Sequence, residues 1–137
     1  MPPRLEPPPE LFVDRSLGKS IVEGLRATGL TVHSMADVYG DARAQCLRDE
    51  VWLRDAGENG WIVLTKDDAI RRRPAERDAM IDAAVRVFCL TTAQLRGAEQ
   101  TQRFVRNRHR ILRQARKPGP YIYGVYDRGL KRLWPPA

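Results

Sequence analysis

Four aspartates stand at positions from which a folded chain could bring them to one site: Asp14, Asp49, Asp67 and Asp68. Asp14 directly follows the apolar run 11–13, and Asp67 and Asp68 come shortly after the apolar run 61–64. Continuous apolar runs are typical of parallel strands that are buried on both faces, and ligand sites in such sheets lie beyond the carboxyl ends of the strands. Carboxylates that crowd there need a positive charge among them. The pattern therefore predicts a divalent metal site.

The donor atoms of this set are all oxygen, which favours Mg²⁺ or Mn²⁺ over zinc. The two histidines, His33 and His109, are isolated, and neither has ligand spacing with another histidine or a cysteine. Divalent cations activate water and stabilise the charge that develops on a leaving oxygen, as phosphodiester hydrolysis requires. The sequence shows no Ser-His-Asp or Cys-His arrangement, no glycine-rich phosphate loop, no Rossmann fingerprint and no zinc-finger spacing.

Asp49 is predicted to lie on a helix over residues 43–57. At about 100° per residue, Asp49 projects into the middle of the apolar stripe of that helix. The stripe consists of Cys46, Trp52, Leu53 and Ala56. A lone buried carboxylate is costly, so Asp49 needs a metal or a cationic partner. The alternative is a core aspartate that pairs with an arginine or caps a backbone. Asp14, Asp67 and Asp68 have the corresponding alternative of capping the segments that follow them.

Strand and helix patterns alternate as far as Leu90. Strands are predicted at 11–14, 31–35, 61–65 and 85–90. Helices are predicted from about Leu17 to Gly29, at 43–57, at 75–84, and from a capping box at Thr91 and Gln94 to about Ala115 with a break at Gly97. A β-hairpin is predicted at 121–126 and 130–134. The alternation predicts a three-layer α/β fold around a mostly parallel central sheet, with a C-terminal helical region and hairpin appended.

The 137 residues suffice for a single domain. Residues 1–10 are predicted to form a proline-rich N-terminal arm, and residues 11–137 one domain with its core at 11–95 and a basic helix and hairpin at 96–137. No apolar run approaches membrane-spanning length, and the start of the chain does not resemble a secretory signal. We therefore expect a cytoplasmic protein in which Cys46 and Cys89 are reduced core residues.

The net charge of +7 is unevenly distributed. Residues 1–82 carry a net charge of −3, and residues 83–137 carry +10. Arginines close to the predicted site are Arg71, Arg72, Arg73 and Arg77, and those on the outer side of the late helix are Arg103, Arg106, Arg110, Arg113 and Arg116. This is the pattern of a hydrolytic site beside a nucleic-acid-binding surface. The alternative is a set of solvated charges, some of them paired with Glu76 and Asp78.

At this point the residues resemble the PIN domain family, specifically its compact branch of VapC toxins and Mut7-C-like PIN domains. Phe12-Val13-Asp14-Arg15-Ser16-Leu17 resembles the strand-D-x-x-L start of that branch, and Thr65-Lys66-Asp67-Asp68 resembles its T-x-D element. Asp49-Glu50-Val51, with Ala56 behind it, resembles the helical acid motif. The resemblance covers residues 11–95.

The resemblance implies a Mg²⁺- or Mn²⁺-dependent endoribonuclease whose principal acids are Asp14, Asp49 and Asp67, with Asp68 as a fourth or outer ligand. Many relatives have another acid two residues after the T-x-D aspartate, where this chain has Ala69. VapC-type members are usually toxins that a cognate antitoxin neutralises, and they commonly form homodimers. The basic C-terminal region is not part of the matched motifs. RNA contacts are expected at Arg71, Arg73 and Arg77 and at Arg106, Arg110 and Arg113.

Two other classes of function stay open on the sequence. A phosphate-accepting receiver domain also gathers acids at strand ends, but it requires paired acids after its first strand, where Asp14 stands alone. A non-catalytic nucleic-acid-binding module would use the acids as structural caps and the basic surface for binding.

Overall fold

The computed structural model describes residues 8–91 and 95–136. Its centre is a six-stranded sheet with the strand order β2-β1-β3-β4-β5-β6. The strands are β1 (Glu10–Val13), β2 (Thr31–Ser34), β3 (Ile62–Thr65), β4 (Arg86–Leu90), β5 (Tyr121–Tyr126) and β6 (Gly129–Trp134). The helices are α1 (Lys19–Ala27), α2 (Met35–Tyr39), α3 (Asp41–Cys46), α4 (Asp49–Glu58), α5 (Pro74–Ala83), α6 (Gly97–Arg106) and α7 (Arg108–Gln114), and a 3₁₀ helix lies at Asp68–Arg72. The predicted α/β fold with a mostly parallel sheet is confirmed.

Parallel pairing brings the ends of β1 and β3 together. Val13 lies opposite Leu64, and the amide of Asp14 donates a hydrogen bond to the carbonyl oxygen of Leu64 at 3.3 Å. Strands β1 to β5 pair in parallel, whereas β6 pairs antiparallel with β5 as the predicted hairpin. The residues that follow β1 and β3 therefore leave the same edge of the sheet side by side.

The two faces of the sheet pack against different helices. Because side chains alternate along a strand, Leu11 and Val13 share a core with Phe104 of α6, whereas Phe12 packs on the other face with Trp52 of α4. Burying a side chain such as that of Phe12 contributes about 1.5–3 kcal/mol. With a core on each face, the short strands form a rigid support for the groups at their carboxyl ends.

The helix predicted over 43–57 is two helices, so that part of the prediction is wrong. The backbone is extended at Leu47, between α3 and α4. The guanidinium of Arg15 lies at this break and donates hydrogen bonds to the carbonyl oxygens of Ala44, at 3.0 Å, and of Leu47. The last carbonyl groups of a helix have no hydrogen-bond donor within the helix, and here the Arg15 guanidinium is that donor. Asp49 therefore begins α4 instead of lying in the middle of a stripe.

The break also changes the position of Cys46. It lies at the end of α3 and is exposed, whereas Cys89 in β4 is buried. The prediction that both cysteines are core residues is therefore wrong for Cys46, because α3 does not continue the buried face of α4. A short junction at Gly40, which has a φ of 84°, joins α2 and α3.

Helices α4 and α5 lie side by side on one face of the sheet. Arg54 Nη1 is 2.9 Å from Asp82 Oδ2. Near the ends of the two helices, a Cβ atom on Gly57 would lie 2.4 Å from the carbonyl oxygen of Ala83. A glycine is required for this close approach of one backbone to another. Both helices begin at the carboxyl edge of the sheet.

The C-terminal helices are joined to the sheet through Asn107. Helix α6 begins at Gly97, where the sequence predicts a break, and a break follows at Asn107. The buried side-chain amide of Asn107 donates hydrogen bonds to the carbonyl oxygens of Arg103, at 2.9 Å, and of Tyr126, at 2.8 Å. The predicted cap at Gln94 lies outside the described residues. No helix within 8–91 and 95–136 is long and apolar enough to cross a membrane.

The environments of the two cysteines predict different reactivities. Burial raises the pKa of the Cys89 thiol to about 12, and the thiolate is the reactive form. We expect a thiol reagent at pH 8 to modify one cysteine per native chain, Cys46, and two per denatured chain. Cys46→Ala is the control, and its native form should not react. Rapid modification of two thiols in the native protein would contradict the placement of Cys89.

Candidate metal centre

Three carboxylates from separate elements meet at the carboxyl edge of the sheet. Asp49 begins α4, Asp67 follows β3, and Glu76 lies in the first turn of α5. One ligand oxygen from each lies within 4.8 Å of the other two. The side chains of Asp49 and Asp67 are 25% and 26% exposed, and that of Glu76 is 6% exposed. The helix dipoles favour negative charge at the starts of α4 and α5.

The guanidinium of Arg73 lies among these three carboxylates. Its Nη1 is 2.7 Å from Asp67 Oδ2, 3.0 Å from Glu76 Oε1 and 3.7 Å from Asp49 Oδ2. Hydrogen bonds with Asp67 and Glu76 raise the pKa of Arg73 above its ordinary value. One nitrogen atom therefore provides the positive charge at the point that the three acids share.

The carboxyl groups of Asp49 and Glu76 differ in their pKa values. Burial and a hydrogen bond with Asp49 raise the pKa of Glu76 to about 7, although Arg73 opposes this shift. Burial also acts to raise the pKa of Asp49, but hydrogen bonds with Glu76, Arg15 and Trp52 outweigh it and hold that pKa below its ordinary value. Of the two carboxyl groups, Glu76 is therefore the one that binds a proton more readily.

Two further contacts fix the carboxylate of Asp49. Arg15 Nη2 donates to Asp49 Oδ1 at 2.7 Å, and the indole Nε1 of Trp52 donates to the same oxygen at 2.8 Å. Oδ1 is thus occupied by protein donors, while Oδ2 faces Arg73. The arginine partner that the sequence left open for Asp49 is present twice, in Arg15 and Arg73.

Asp14 lies next to this cluster and is 5% exposed. Its Oδ2 accepts a hydrogen bond from Thr65 Oγ1 at 2.8 Å, and its Oδ1 accepts from the amide of Ser16 at 3.0 Å and from the Ser16 hydroxyl. Thr65 Oγ1 in turn accepts from the amide of Asp67 at 3.0 Å. Burial raises the pKa of Asp14 to about 6, in spite of hydrogen bonds that lower it. The Thr65 hydroxyl group therefore links the carboxylate of Asp14 to the backbone amide of Asp67.

The structure brings some of the predicted residues together and leaves one apart. Asp49 and Asp67 belong to the cluster, and Asp14 is one hydroxyl group away. Asp68 lies outside the cluster and is exposed at the start of the 3₁₀ helix. Asp67 also caps that helix through its Oδ1, whereas Asp14 does not cap α1, whose N-cap is Gly18.

Glu76 is the cluster residue that the sequence analysis did not assign to the site. It was considered only as a salt-bridge partner of nearby arginines. The available signal was Pro74, which is favoured at the first position of a helix and does occupy it in α5. This places Glu76 at the third helical position, shortly after the T-x-D element and close to its aspartate.

The donor set fits a hard divalent cation. Among the described residues, the atoms that meet in the cluster are carboxylate oxygens, the ligands that Mg²⁺ and Mn²⁺ prefer. Burial and the nearby carboxylates of Asp68, Asp14 and Asp67 all raise the pKa of the Cys89 thiol, so it is a poor metal ligand near neutral pH. The three carboxylates already surround one cationic group, the guanidinium of Arg73. These residues could therefore hold a metal ion.

A cleft of about 570 Å³ opens beside Asp14 and Arg15. The start of α1 forms one wall and the α2–α3 region forms the other. Its lining combines apolar side chains, such as Val13 and Met35, with charged groups of both signs: the cations Arg15, Lys19 and Arg26, and the acids Asp14, Glu23, Asp37 and Asp41. The cleft thus offers apolar surface and mixed charge next to the carboxylates.

Comparisons with known proteins agree with the fold. A family model described as a PIN like domain matches residues 9–92, which include every residue of the cluster. The chain is 36% identical over 124 residues to a Mycobacterium tuberculosis protein named "Putative ribonuclease VapC45", and the match covers 90% of each chain. No solved structure matches the chain significantly. The chain belongs to the PIN-like domain family, and the VapC-type resemblance is confirmed.

The raised pKa of Asp14 predicts a pH-dependent gain of stability in the metal-free variant Asp14→Asn. The pKa of Asp14 in the folded protein, about 6, lies above the ordinary aspartate value of 3.8. Ionised Asp14 therefore destabilises the native state above pH 6, and this cost fades as the pH falls toward 4. Asn keeps the shape of the side chain and removes the charge near Asp49. We expect Asp14→Asn to raise the free energy of unfolding by about 1–3 kcal/mol at pH 7.5.

Urea denaturation in EDTA between pH 4 and 8 measures this effect. The gain should be largest above pH 6.5 and should shrink toward pH 4. Asp37→Asn is the control, because hydrogen bonds with Arg26 and Ser34 lower the pKa of Asp37. A stability loss for Asp14→Asn at pH 7.5 would show that the ionised carboxylate stabilises the fold.

Proposed function

We propose that this protein is a metal-dependent endoribonuclease that hydrolyses RNA phosphodiesters, and that it is the VapC-like toxin of a toxin–antitoxin pair. The observation that carries the proposal is the convergence of Asp49, Asp67 and Glu76 on one cation position at the carboxyl edge of a parallel sheet. The relative from Mycobacterium tuberculosis, which is named as a ribonuclease, supports the same reaction.

We assign the metal to Asp14, Asp49 and Asp67, with Glu76 as the further acid. Glu76 takes the place of the acid that is lacking at Ala69, because the start of α5 brings it to the same cluster. Asp68 is kept as an outer residue of the site, since it is exposed beside Asp67. Oxygen ligands favour Mg²⁺ or Mn²⁺ at this position.

When bound, the cation supplies water activation and neutralises the charge that develops on the leaving oxygen. The residues of the chain supply the geometry. Arg15 and Trp52 orient the Asp49 carboxylate through Oδ1, and Thr65 holds Asp14 at a fixed position relative to Asp67. Outer partners of this kind hold the ligand side chains in place before the metal binds.

The basic residues provide two surfaces for RNA. Arg71, Arg73 and Arg77 lie on the segment that runs from the 3₁₀ helix into α5, next to the cluster. Arg110, Arg113 and Lys117 line a second cleft, of about 260 Å³, between the α7 region and the start of β6. Arg106 forms an ion pair with Asp127 and is therefore the most constrained of the three late arginines that the sequence proposed. Contacts of these cations with phosphates bind RNA of any sequence.

The partners of the proposed activity are RNA and a cognate antitoxin. An acidic antitoxin segment would suit the same basic surfaces, and a homodimer is the assembly that the resemblance implies. We also propose that the protein acts in the cytoplasm, where its RNA substrates are found.

Replacing the clustered acids should abolish RNA cleavage. We expect Asp14→Asn, Asp49→Asn and Asp67→Asn each to lower turnover of a labelled RNA at least about 100-fold, because each variant loses a carboxylate that we assign to the metal. Glu76→Gln should lower turnover by a similar factor. EDTA should stop cleavage, and Mg²⁺ or Mn²⁺ should restore it.

Asp78→Asn is the matched control for these variants, since Asp78 is an exposed carboxylate on the same helix as Glu76. It should cleave RNA at the wild-type rate. Full cleavage in EDTA, or by Asp49→Asn, would refute the mechanism. RNA binding that persists without cleavage, acids or metal would instead indicate a non-catalytic binding module, and transfer of phosphate from a small phosphodonor to Asp14 would indicate a receiver-like domain.

Neutralising the late arginines should weaken RNA binding without affecting the metal. We expect the triple variant Arg106→Gln, Arg110→Gln, Arg113→Gln to bind all RNAs more weakly and to lower the slope of log affinity against log salt by about 2, from the release of counterions. The measurement is RNA affinity at several salt concentrations in the background of Asp49→Asn. Arg54→Gln, on the opposite face and paired with Asp82, should leave the slope unchanged. An unchanged slope for the triple variant would place RNA elsewhere on the protein.

A further inference from the structure

Two arginines contact the acid cluster, and their environments differ. The Arg15 guanidinium is held by two backbone carbonyl oxygens, those of Ala44 and Leu47, in addition to Asp49. Such contacts tie Arg15 to the break between α3 and α4. The side-chain hydrogen bonds and ion pairs of Arg73 within the described residues are all with carboxylates, and all of them are made through Nη1. The side chain of Arg73 is 48% exposed.

The position of Arg73 is incompatible with a bound divalent cation. Mg²⁺ binds oxygen at about 2.0–2.1 Å. Nη1 lies 2.7 Å from Asp67 Oδ2 and 3.0 Å from Glu76 Oε1, so it fills the space that an ion bound to the same oxygens would need. Two cationic groups at one position would also repel each other strongly. One of them must leave when the other binds.

We propose that Arg73 is an exchangeable counter-cation of the metal centre. Without metal, its guanidinium holds the three carboxylates together; when a divalent cation binds, the guanidinium withdraws toward solvent and becomes available to an RNA phosphate beside the ion. This inference rests on the proposed metal-dependent function. It adds that a side chain of the protein itself competes with the metal for the three carboxylates.

The surrounding structure permits this exchange. Arg73 lies between the 3₁₀ helix and α5 with an extended backbone, and its side chain is not enclosed. Withdrawal removes contacts with the cluster but leaves the cap of the 3₁₀ helix, which Asp67 provides through the amide of Ala69. Arg15 and Trp52 continue to hold Asp49 Oδ1. The carboxylates of Asp49 and Asp67 therefore keep these contacts while their counter-cation changes.

The exchange has a reciprocal consequence. Because Arg73 and the metal exclude each other from the carboxylates, each lowers the apparent affinity of the site for the other. A solvent-exposed ion pair changes an affinity by up to about fivefold. Arg73, whose own side chain is 48% exposed, contacts two half-buried carboxylates and one buried carboxylate. Removing the guanidinium should therefore tighten divalent metal binding by about tenfold.

The test measures Mn²⁺ binding to the full chain by the electron paramagnetic resonance signal of the free ion. Four proteins are compared: wild type, Arg73→Gln, Arg73→Lys and Arg72→Gln. We expect Arg73→Gln to lower the dissociation constant about tenfold and Arg73→Lys, which keeps a charge in reach, to stay within about threefold of wild type. Arg72→Gln removes the same charge from an exposed neighbour that makes none of these contacts, and it should change the constant less than about twofold.

A second measurement uses the unaltered chain, so it does not depend on the folding of a variant. The side-chain NMR signal of Arg73, assigned with Arg73→Lys, is followed during titration with Mg²⁺. We expect the guanidinium to be restricted in the metal-free protein and to gain mobility as Mg²⁺ saturates the site. The Arg15 signal should remain restricted throughout and serves as the internal control.

Several outcomes would overturn the proposal. Equal Mn²⁺ affinity in wild type and Arg73→Gln, or weaker binding in the variant, would show that Arg73 supports the metal site instead of competing for it, and the proposed ribonuclease would stand. A similar gain in Mn²⁺ affinity for Arg72→Gln would show that the effect comes from the net charge of the protein and not from the position of Arg73. Absence of Mn²⁺ binding in all four proteins would overturn both this inference and the proposed function.

Discussion

The mutual repulsion of carboxylates at one edge of the sheet is the constraint on which the rest of this structure depends. Asp49, Asp67 and Glu76 have oxygens within 4.8 Å of one another, and Asp14 lies one hydroxyl group away. Such a group is unstable unless positive charge lies among its members. In this fold, two arginines and two helix N-termini supply positive charge at the cluster, and the pKa of Glu76 is raised.

The topology determines which side of the molecule meets this constraint. Parallel pairing of β1 with β3 delivers Asp14 and Asp67 to the same edge, and two helices on one face of the sheet deliver Asp49 and Glu76 there. Arg15 then performs two tasks at once. It donates hydrogen bonds to the carbonyls at the end of α3, and these contacts stabilise the interruption between α3 and α4. It also pairs with the carboxylate of Asp49, which this interruption places at the start of α4.

Much of this arrangement could be predicted from the sequence. The apolar runs before Asp14 and Asp67 mark buried parallel strands, and the period of two in those strands gives both packed faces. The break at Leu47 could not be predicted, because it depends on Arg15, a residue about thirty positions earlier that only the folded chain brings close. Glu76 was missed for a different reason. A glutamate in the first turn of a helix is a common feature, and its contact with Asp49 depends on the packing of α4 against α5.

That packing gives a backbone contact far from the ligands an influence on them. Gly57 approaches the Ala83 carbonyl near the ends of α4 and α5, about 12 Å along the helix from Asp49 at ~1.5 Å per residue. A methyl group at position 57 would separate the helices there and change the spacing of Asp49 and Glu76 at their other ends. Residues that contact neither metal nor RNA would thus influence the rate at which this nuclease cleaves. A variant that retains all the acidic residues would still cleave slowly if the spacing of α4 and α5 were changed, and a comparison of the acids alone would not reveal this loss of activity.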